Sequence, residues 1–424
     1  MQYASYWLST APAFTKGHQV PPEARYDVVV VGGGFTGLSA ARTLSRGGAR
    51  VALLEAGQII GEASGRNGGQ CNTGVAQDYA GMVKHLGRER ATVHYRTYAE
   101  AVTSVERVIA EEAIECDYLH HGKLKLAAKP EHYDTLARTC EAIRRDVDAD
   151  VELLSRTAVR DEIDSPLFHG ALLQKNGGQM HMGRFGVGLA EAAAAHGAHI
   201  FEHTPMTRVV RDAVGYRLTT PVGEIRTENV LLATGTSQIG PLNWFRRRMA
   251  PVGSFIIVTE PLSPDQCVQL LPQRRAYVTS RIVGHYFRLT PDNRLLFGGR
   301  ARFAASGGKS DTKSGEILRR GLTETFPTLK NVRLDYCWGG LVDMSRDRLP
   351  HAGRHDGMYY VMGYSGHGVQ MSVHMGHILA EVMLGNRHTY PWHDADWPAI
   401  PGHFGKPWFL PLVGSWYRLQ DRLH

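Results

Sequence analysis

A β-branched run, Asp27–Val31, stops abruptly at Gly32-Gly33-Gly34-Phe35-Thr36-Gly37, and this junction constrains the chain more than any other feature. A continuous apolar run of that length fits a parallel strand buried on both faces. From Phe35 to Ser45 the apolar positions return at helical spacing, Gly47-Gly48 stop the helix, and Arg50–Leu54 reads as a second buried strand. Strand, helix and strand make a βαβ unit. Within it Gly32 permits the tight turn, Gly34 lets the backbone approach a pyrophosphate, and Gly37 allows the helix to pack closely on the strand. Unpaired amides and the positive dipole end at the helix mouth are the physical reason an anion binds there. Glu55, 18 residues beyond Gly37, is placed to accept hydrogen bonds from an adenosine ribose.

A chain of 424 residues with 43% hydrophobic content has material for a large core and a size that predicts two interlocked domains. The formal charge is +7, but the 48 Lys and Arg are scattered, with only short runs such as Arg246-Arg247-Arg248. A solvated surface explains that balance better than a nucleic-acid footprint. Five cysteines, Cys71, Cys116, Cys140, Cys267 and Cys337, are far apart and never in a CxxC spacing that suggests zinc or a redox pair. Reduced thiols in a cytoplasm are expected. No stretch reaches the ~18 apolar residues of a membrane span, and residues 1–26 lack an apolar leader.

Pro12, Pro21 and Pro22 argue against regular structure before Tyr26, so the opening segment is expected as an arm on the surface. Residues 90–113 read as a helix, and Gly122–Ala128 alternates like a half-buried strand of an antiparallel sheet. An alanine-rich helix at Glu191–His196 precedes strand-like pieces near Ile200, Thr207–Val210, Tyr216–Thr219 and Asn229–Ala233. That order returns the chain to the nucleotide half. Further strands are predicted at Ser254–Thr259 and Leu295–Gly298, and a long apolar helix at Gly366–Gly385.

The βαβ unit alone does not separate FAD from NAD, which share the AMP and pyrophosphate half. The segment Ser64-Gly65-Arg66-Asn67-Gly68-Gly69-Gln70, glycine-rich and full of hydrogen-bonding side chains, stands where a simple NAD domain would run into another helix. The set GGGFTGLSAA, LLEA, ASGRNGGQ, LLATGT at Leu231–Thr236 and GYSGHGVQMS at Gly363–Ser372 resembles the D-amino-acid oxidase superfamily of flavoenzymes, most nearly its γ-glutamylputrescine oxidase group. The likeness runs over nearly the whole chain. The first motif is common to many flavoproteins; ASGRNGGQ together with GYSGHGVQ is far more specific.

The resemblance implies an α/β, two-domain fold: a Rossmann-like FAD-binding domain, discontinuous in sequence (1–85, 150–240 and 339–390), and an antiparallel-sheet substrate domain (86–149 and 241–338). The tail, 391–424, is expected against the FAD domain. It further implies FAD, expected to be non-covalent because the anchoring cysteine of sarcosine oxidases has no clear match, held by Gly32, Gly34, Phe35, Thr36, Gly37, Glu55 and Ala56. Ser64, Arg66, Asn67, Gly68, Gly69 and Gln70 would follow the diphosphate and ring edge. Val209 would hold adenine through its backbone, with Thr234 and Gly235 near the phosphates. Gly363, Tyr364, Gly366, His367, Gly368, Val369 and Gln370 would lie at the pyrimidine side, where a helix mouth stabilises negative charge on reduced flavin. The implied reaction takes a neutral amine, passes a hydride to flavin N5 and leaves an imine that water hydrolyses.

His367 is the candidate catalytic residue; its bland alternative is a structural hydrogen-bond partner in a glycine loop. Sarcosine oxidases grip an α-carboxylate with basic side chains where this chain carries Gln70 and Gln370, so a carboxylate clamp is not expected and an alkylamine end, as in γ-glutamylputrescine, suits the site. Tyr286, Trp338 and Tyr364 would line an apolar slot or cage a cation; core packing is the competing role. Cys337 is displaced from the flavin-anchoring cysteine of sarcosine oxidases, and Leu296 stands near the place of an oxygen-activating lysine. The electron acceptor is left open between oxygen and a quinone or protein, and the oligomeric state is left open too. Two other functions stay open: oxidation of an amino acid or 2-hydroxy acid, and an FAD-containing RNA-modifying or RNA-binding protein.

Overall fold

The computed structural model describes residues 1–18, 24–74, 78–300, 308–392, 395–405 and 407–423. The strand Arg25–Val31 lies at the centre of one sheet, paired in parallel with Val51–Leu54 on one side and Gly223–Leu232 on the other. His199–Phe201 and Met358–Met362 extend it in parallel, and His351–His355 closes one edge antiparallel. The helix Phe35–Arg46 follows the first strand with Gly34 at its N-cap and Gly47 at its C-cap. Gly37 is required there by contact: a Cβ would overlap the Gly32 carbonyl oxygen and crowd Val30. Helix Gly368–Met383 crosses the first helix at Gly376, where a Cβ would overlap the Thr36 carbonyl, and Ser39 Oγ donates to Val373 O at 2.7 Å. These helices and the strand undersides share one large core.

The second sheet has eight strands in the order Leu334–Ser345, Met249–Pro261, Arg294–Gly299, His285–Leu289, Ala276–Thr279, Lys123–Leu126, Ala171–Gln174 and Glu152–Leu154. Every neighbour pair is antiparallel except Ala276–Thr279 with Lys123–Leu126. Its register aligns Lys125, Val278, Tyr286, Gly298, Ile256 and Trp338 across six strands. Cross-strand partners share a face, as do residues two apart on one strand, so Lys123 faces the same way as this row. The opposite face buries Phe255, Ile257, Phe287, Phe297 and Cys337 in a separate core.

Four placements differ from the sequence expectations. The arm is not superficial: Tyr6–Thr10 is helical, Trp7 is fully buried, and its Nε1 donates to Asn67 O at 2.7 Å. Tyr6 Oη reaches Asp292 at 2.7 Å, so the arm is wedged between the 64–70 segment and the second sheet; Pro21 and Pro22 lie outside the described residues. Residues 152–174, assigned to the nucleotide half, supply two strands of the substrate sheet. Helix Arg88–Glu111, assigned to the substrate half, buries Tyr98, Val102 and Val105 in the nucleotide-side core. The tail divides. Trp392 and Trp397 pack on the nucleotide side, but the helix Leu410–Leu423 is tied to the substrate side, where Asp421 accepts the Ile282 and Val283 amides at 2.9 and 2.8 Å. Burial decides each case: an amphipathic segment packs on whichever half leaves apolar surface uncovered.

Candidate active site

A continuous cavity of about 1300 Å³ runs from the mouth of the Phe35–Arg46 helix to the face of the second sheet that carries Tyr286. Pockets that hold drug-sized molecules are typically ~300–1000 Å³, so this one has room for a dinucleotide and a small substrate.

At the nucleotide end Gly32, Gly34, Phe35, Thr36, Glu55, Ala56, Thr234 and Gly235 form the wall. Ser64 Oγ accepts the Phe35 amide at 3.0 Å, and the other first-turn amides are the ones helix geometry leaves without an internal acceptor. Glu55 Oε2 accepts the Gly33 amide at 2.6 Å and Oε1 accepts the Gly57 amide at 2.7 Å, which fixes the carboxylate at the groove edge. Two features fit a bound dinucleotide. Thr234 Oγ1 is buried with no partner, and a Cβ at Gly235, whose φ is +51°, would meet nothing within 4 Å. Gly37 supports the turn from behind and is not on the wall. Val209 is also off the wall, carried away on the hairpin Arg208–Asp212 with Gly215–Thr220; Met206, just before that hairpin, lines the groove instead.

In the middle, Ser64, Arg66, Asn67, Gly68 and Gln70 line the cavity. Their side chains mostly hold the loop itself. Arg66 donates to Gly61 O and Gly339 O at 2.8 and 3.1 Å, and Asn67 donates to Ser64 O while accepting the Gly69 amide, both at 2.8 Å. Gly69 turns away: its carbonyl accepts from Arg288, a fully buried guanidinium that also holds Met180 O, both at 3.0 Å. Trp338 is a packing residue rather than a substrate contact, since it is buried and its Nε1 donates to Arg66 O at 3.0 Å. Tyr286 does line the cavity, with Oη 3.3 Å from Ser254 Oγ and its ring against Gly68 and Gly298, where a Cβ would collide with it.

Tyr364, Gly366, His367, Gly368, Val369 and Gln370 form the far wall, while Gly363 stands behind it and donates its amide to Asp343 Oδ2 at 2.7 Å. Burial raises the Asp343 carboxyl to about 6 against several backbone amides that favour the anion. Asp343 itself lines the cavity and was not singled out in the sequence. Tyr364 turns its hydroxyl to Thr36 at 2.7 Å. Gln370 Nε2 donates to Asn72 O at 2.6 Å, Asn72 Nδ2 donates to Gln70 Oε1 at 3.1 Å, and Gln70 Nε2 reaches the Tyr277 and Phe287 carbonyls at 3.4 Å. His367 begins the closing helix. Burial, then the charge of Lys123, lowers its imidazole to about 3, and its Nδ1 has no partner.

The cavity is not free of cations, contrary to the expectation drawn from Gln70 and Gln370. Lys123, Lys125, Arg300 and Arg348 line it. Lys123 Nζ donates to Thr73 O at 2.7 Å, and burial lowers its ammonium to about 7. Burial also lowers Lys125, with Asp78 opposing. The alternation of Lys-Leu-Lys-Leu at 123–126 carried the signal, but it reads equally as a solvated sheet face. Cys337 points its Sγ to Asp311 O on the opposite face of the sheet, and no cysteine is on the cavity wall. Leu296 is core.

Residues 27–382 match the family model described as DAO, FAD dependent oxidoreductase. The chain is 32% identical to gamma-glutamylputrescine oxidoreductase of Escherichia coli (strain K12), over 99% of this chain and 98% of that one. It is 32% identical to a probable oxidoreductase OrdL of Haemophilus influenzae, over 87% and 86%. Among solved structures, glycine oxidase from Geobacillus kaustophilus aligns with a TM-score of 0.72 at 21% identity, covering 89% of this chain and 99% of that one. The two-domain architecture is that of the same fold. With the family matched over most of its length and a relative of this identity covered end to end, the chain belongs to the DAO family of FAD-dependent oxidoreductases.

Proposed function

We propose that this enzyme oxidises the free amine end of an acylated diamine, with γ-glutamylputrescine the leading candidate. The observation that carries the reading is that Gln70, Gln370 and a neutral His367 line the cavity beside Lys123, whose ammonium burial brings down to about 7, a set that favours an uncharged amine over an ammonium. The likeness to gamma-glutamylputrescine oxidoreductase supports the same substrate. The flavin, when bound, supplies a two-electron acceptor.

The chain's own groups select the protonation state and pose of the amine. Lys123 and the desolvated surroundings disfavour an ammonium, so the substrate enters with its nitrogen lone pair free. His367 is uncharged and offers a hydrogen bond without adding charge. Tyr286, packed on Gly68, closes the cavity over the reacting carbon. That carbon loses a hydride and the nitrogen a proton; water then converts the imine to an aldehyde and ammonia. Five buried free thiols fit a reducing cytoplasm, and among the described residues no helix is long and apolar enough to cross a membrane.

The test is anaerobic mixing of the yellow protein with γ-glutamylputrescine, putrescine and amino acids while following loss of the flavin band. Bleaching by the acylated diamine is expected, and readmitting air then tells whether oxygen or another acceptor restores the colour. A second reading, oxidation of an amino acid, draws on the cations in the cavity; rapid bleaching by glycine or proline with none from amines would favour it.

A further inference from the structure

The cavity contains a guanidinium that the chemistry above leaves unused. Arg300 directly follows the strand Arg294–Gly299 and lines the cavity together with Tyr286. Among the described residues no hydrogen bond or ion pair reaches it. The charged and titratable groups coupled to it are Arg348, Tyr417, Tyr286 and the neutral His367, none of them a carboxylate. Arg348 is itself turned to Tyr417 Oη at 3.1 Å, so it brings more positive charge and no compensation. A desolvated cation without a counter-ion is costly, and such groups persist where a ligand supplies the anion.

The position sets the distance at which that anion arrives. Gln70 Nε2 contacts the Phe287 carbonyl, and Phe287 pairs with Phe297. Arg300, just past the strand end, is three residues beyond Phe297 and two beyond Gly298, the partner of Tyr286, which puts it roughly 7–10 Å away at ~3.4 Å per residue. An anion attached to the reacting carbon could not reach both ends. A diamine acylated by an acid with a second, free carboxylate spans about that length when extended, like three residues of chain.

We propose that Arg300 anchors a carboxylate carried by the substrate at the end remote from its reacting amine. The inference rests on the amine-oxidising reading and narrows it: Arg300 is a specificity-determining residue, and the substrate class is acyl diamines bearing a free carboxylate. Planar N–H donors suit two-point binding of a carboxylate, which Lys125, paired electrostatically with Asp78, matches less well.

The experiment compares kcat and KM of the FAD-loaded protein and its Arg300→Gln and Arg300→Lys variants on γ-glutamylputrescine and on the same amide lacking the α-carboxylate. For Arg300→Gln a loss of about 10- to 100-fold in kcat/KM is expected on the carboxylate-bearing amine only, mostly through KM, as for removal of a charge-assisted hydrogen bond. Arg300→Lys should recover part of it. Equal losses on both amines, or none on either, overturn the proposal. A lowered flavin midpoint potential in Arg300→Gln with unchanged KM would assign the cation to the reduced ring and overturn it too. Glutarate provides a readout independent of amine turnover: it should perturb the flavin absorbance of the native protein and leave Arg300→Gln unaffected. If amines are not oxidised but that difference is seen, the amine-oxidising reading fails while the carboxylate site stands. No glutarate effect on the native protein, together with no preference for the carboxylate-bearing amine, overturns the site.

Discussion

The hydroxyls of Thr36 and Tyr364 lie 2.7 Å apart, joining the first turn of the nucleotide helix to the loop that begins the closing helix, 328 residues away in sequence. Both side chains are on the cavity wall. One buried hydrogen bond thus helps fix the phosphate end of the groove relative to its pyrimidine end. Tyr364→Phe leaves the Thr36 hydroxyl without its partner and should cost about 1 kcal/mol of stability. The same spacing error should weaken FAD binding about fivefold, given that ~1.4 kcal/mol is tenfold. Fluorescence titration of the apoprotein with FAD checks this, and an unchanged affinity would contradict it.

Two glycine substitutions separate contact from conformation. A Cβ at Gly37 overlaps the Gly32 carbonyl, so Gly37→Ala must push the helix off the strand and should yield colourless or insoluble protein. Gly48 has φ +88° with nothing within 4 Å of its Cβ position. Gly48→Ala therefore pays only backbone strain, about 1–2 kcal/mol, and should purify yellow. Equal flavin content in the two variants would sink the distinction.

Lys123 gives the cavity a titration close to neutrality. Burial, reinforced by Lys125, brings its ammonium down to about 7 from an ordinary 10.5. Between those values the unfolded chain holds a proton that the folded chain has released, so stability falls as pH is lowered from 10.5 towards 7. In that window Lys123→Met should flatten the slope by up to about 1.4 kcal/mol per pH unit. The flavin absorbance should show an inflection near pH 7 in the native protein, absent in the variant; a persisting inflection would assign it elsewhere.

Buried neutral histidines predict acid sensitivity. Burial lowers His94, His181, His285 and His374 to about 4 and His367 to about 3, from an ordinary 6.5. Below 6.5 the unfolded chain takes up protons that the folded chain refuses, so stability is lost as pH falls from 6.5 towards 4. Thermal unfolding at pH 7.5, 6 and 5 should show Tm dropping at each step. A flat Tm over that range would mean these rings are charged, or solvated, in the folded state.

The nucleotide half was legible in the sequence because its signals are local. A β-branched run, a glycine turn and helical spacing each depend on residues a few positions apart, and the structure places Arg25–Val31, Phe35–Arg46 and Val51–Leu54 around the predicted unit within two residues. The loop 64–70 and the closing-helix motif likewise come to one groove. Val209 stands off the cavity wall, because nothing local tells where a strand leaves it, and Trp338 is held in packing with its Nε1 on Arg66 O.

What the sequence determined by itself is therefore the dinucleotide-binding unit, the family and the cofactor. Tertiary structure alone decided the character of the substrate end. Alternation shows that Lys123 and Lys125 share a face of their strand, and says nothing about whether water or a second domain covers that face. The fold covers it, and only then do two ordinary surface lysines and Arg300 become desolvated charges beside a neutral histidine. Charge chemistry depends on the dielectric around a group, which is set by contacts hundreds of residues apart in the chain.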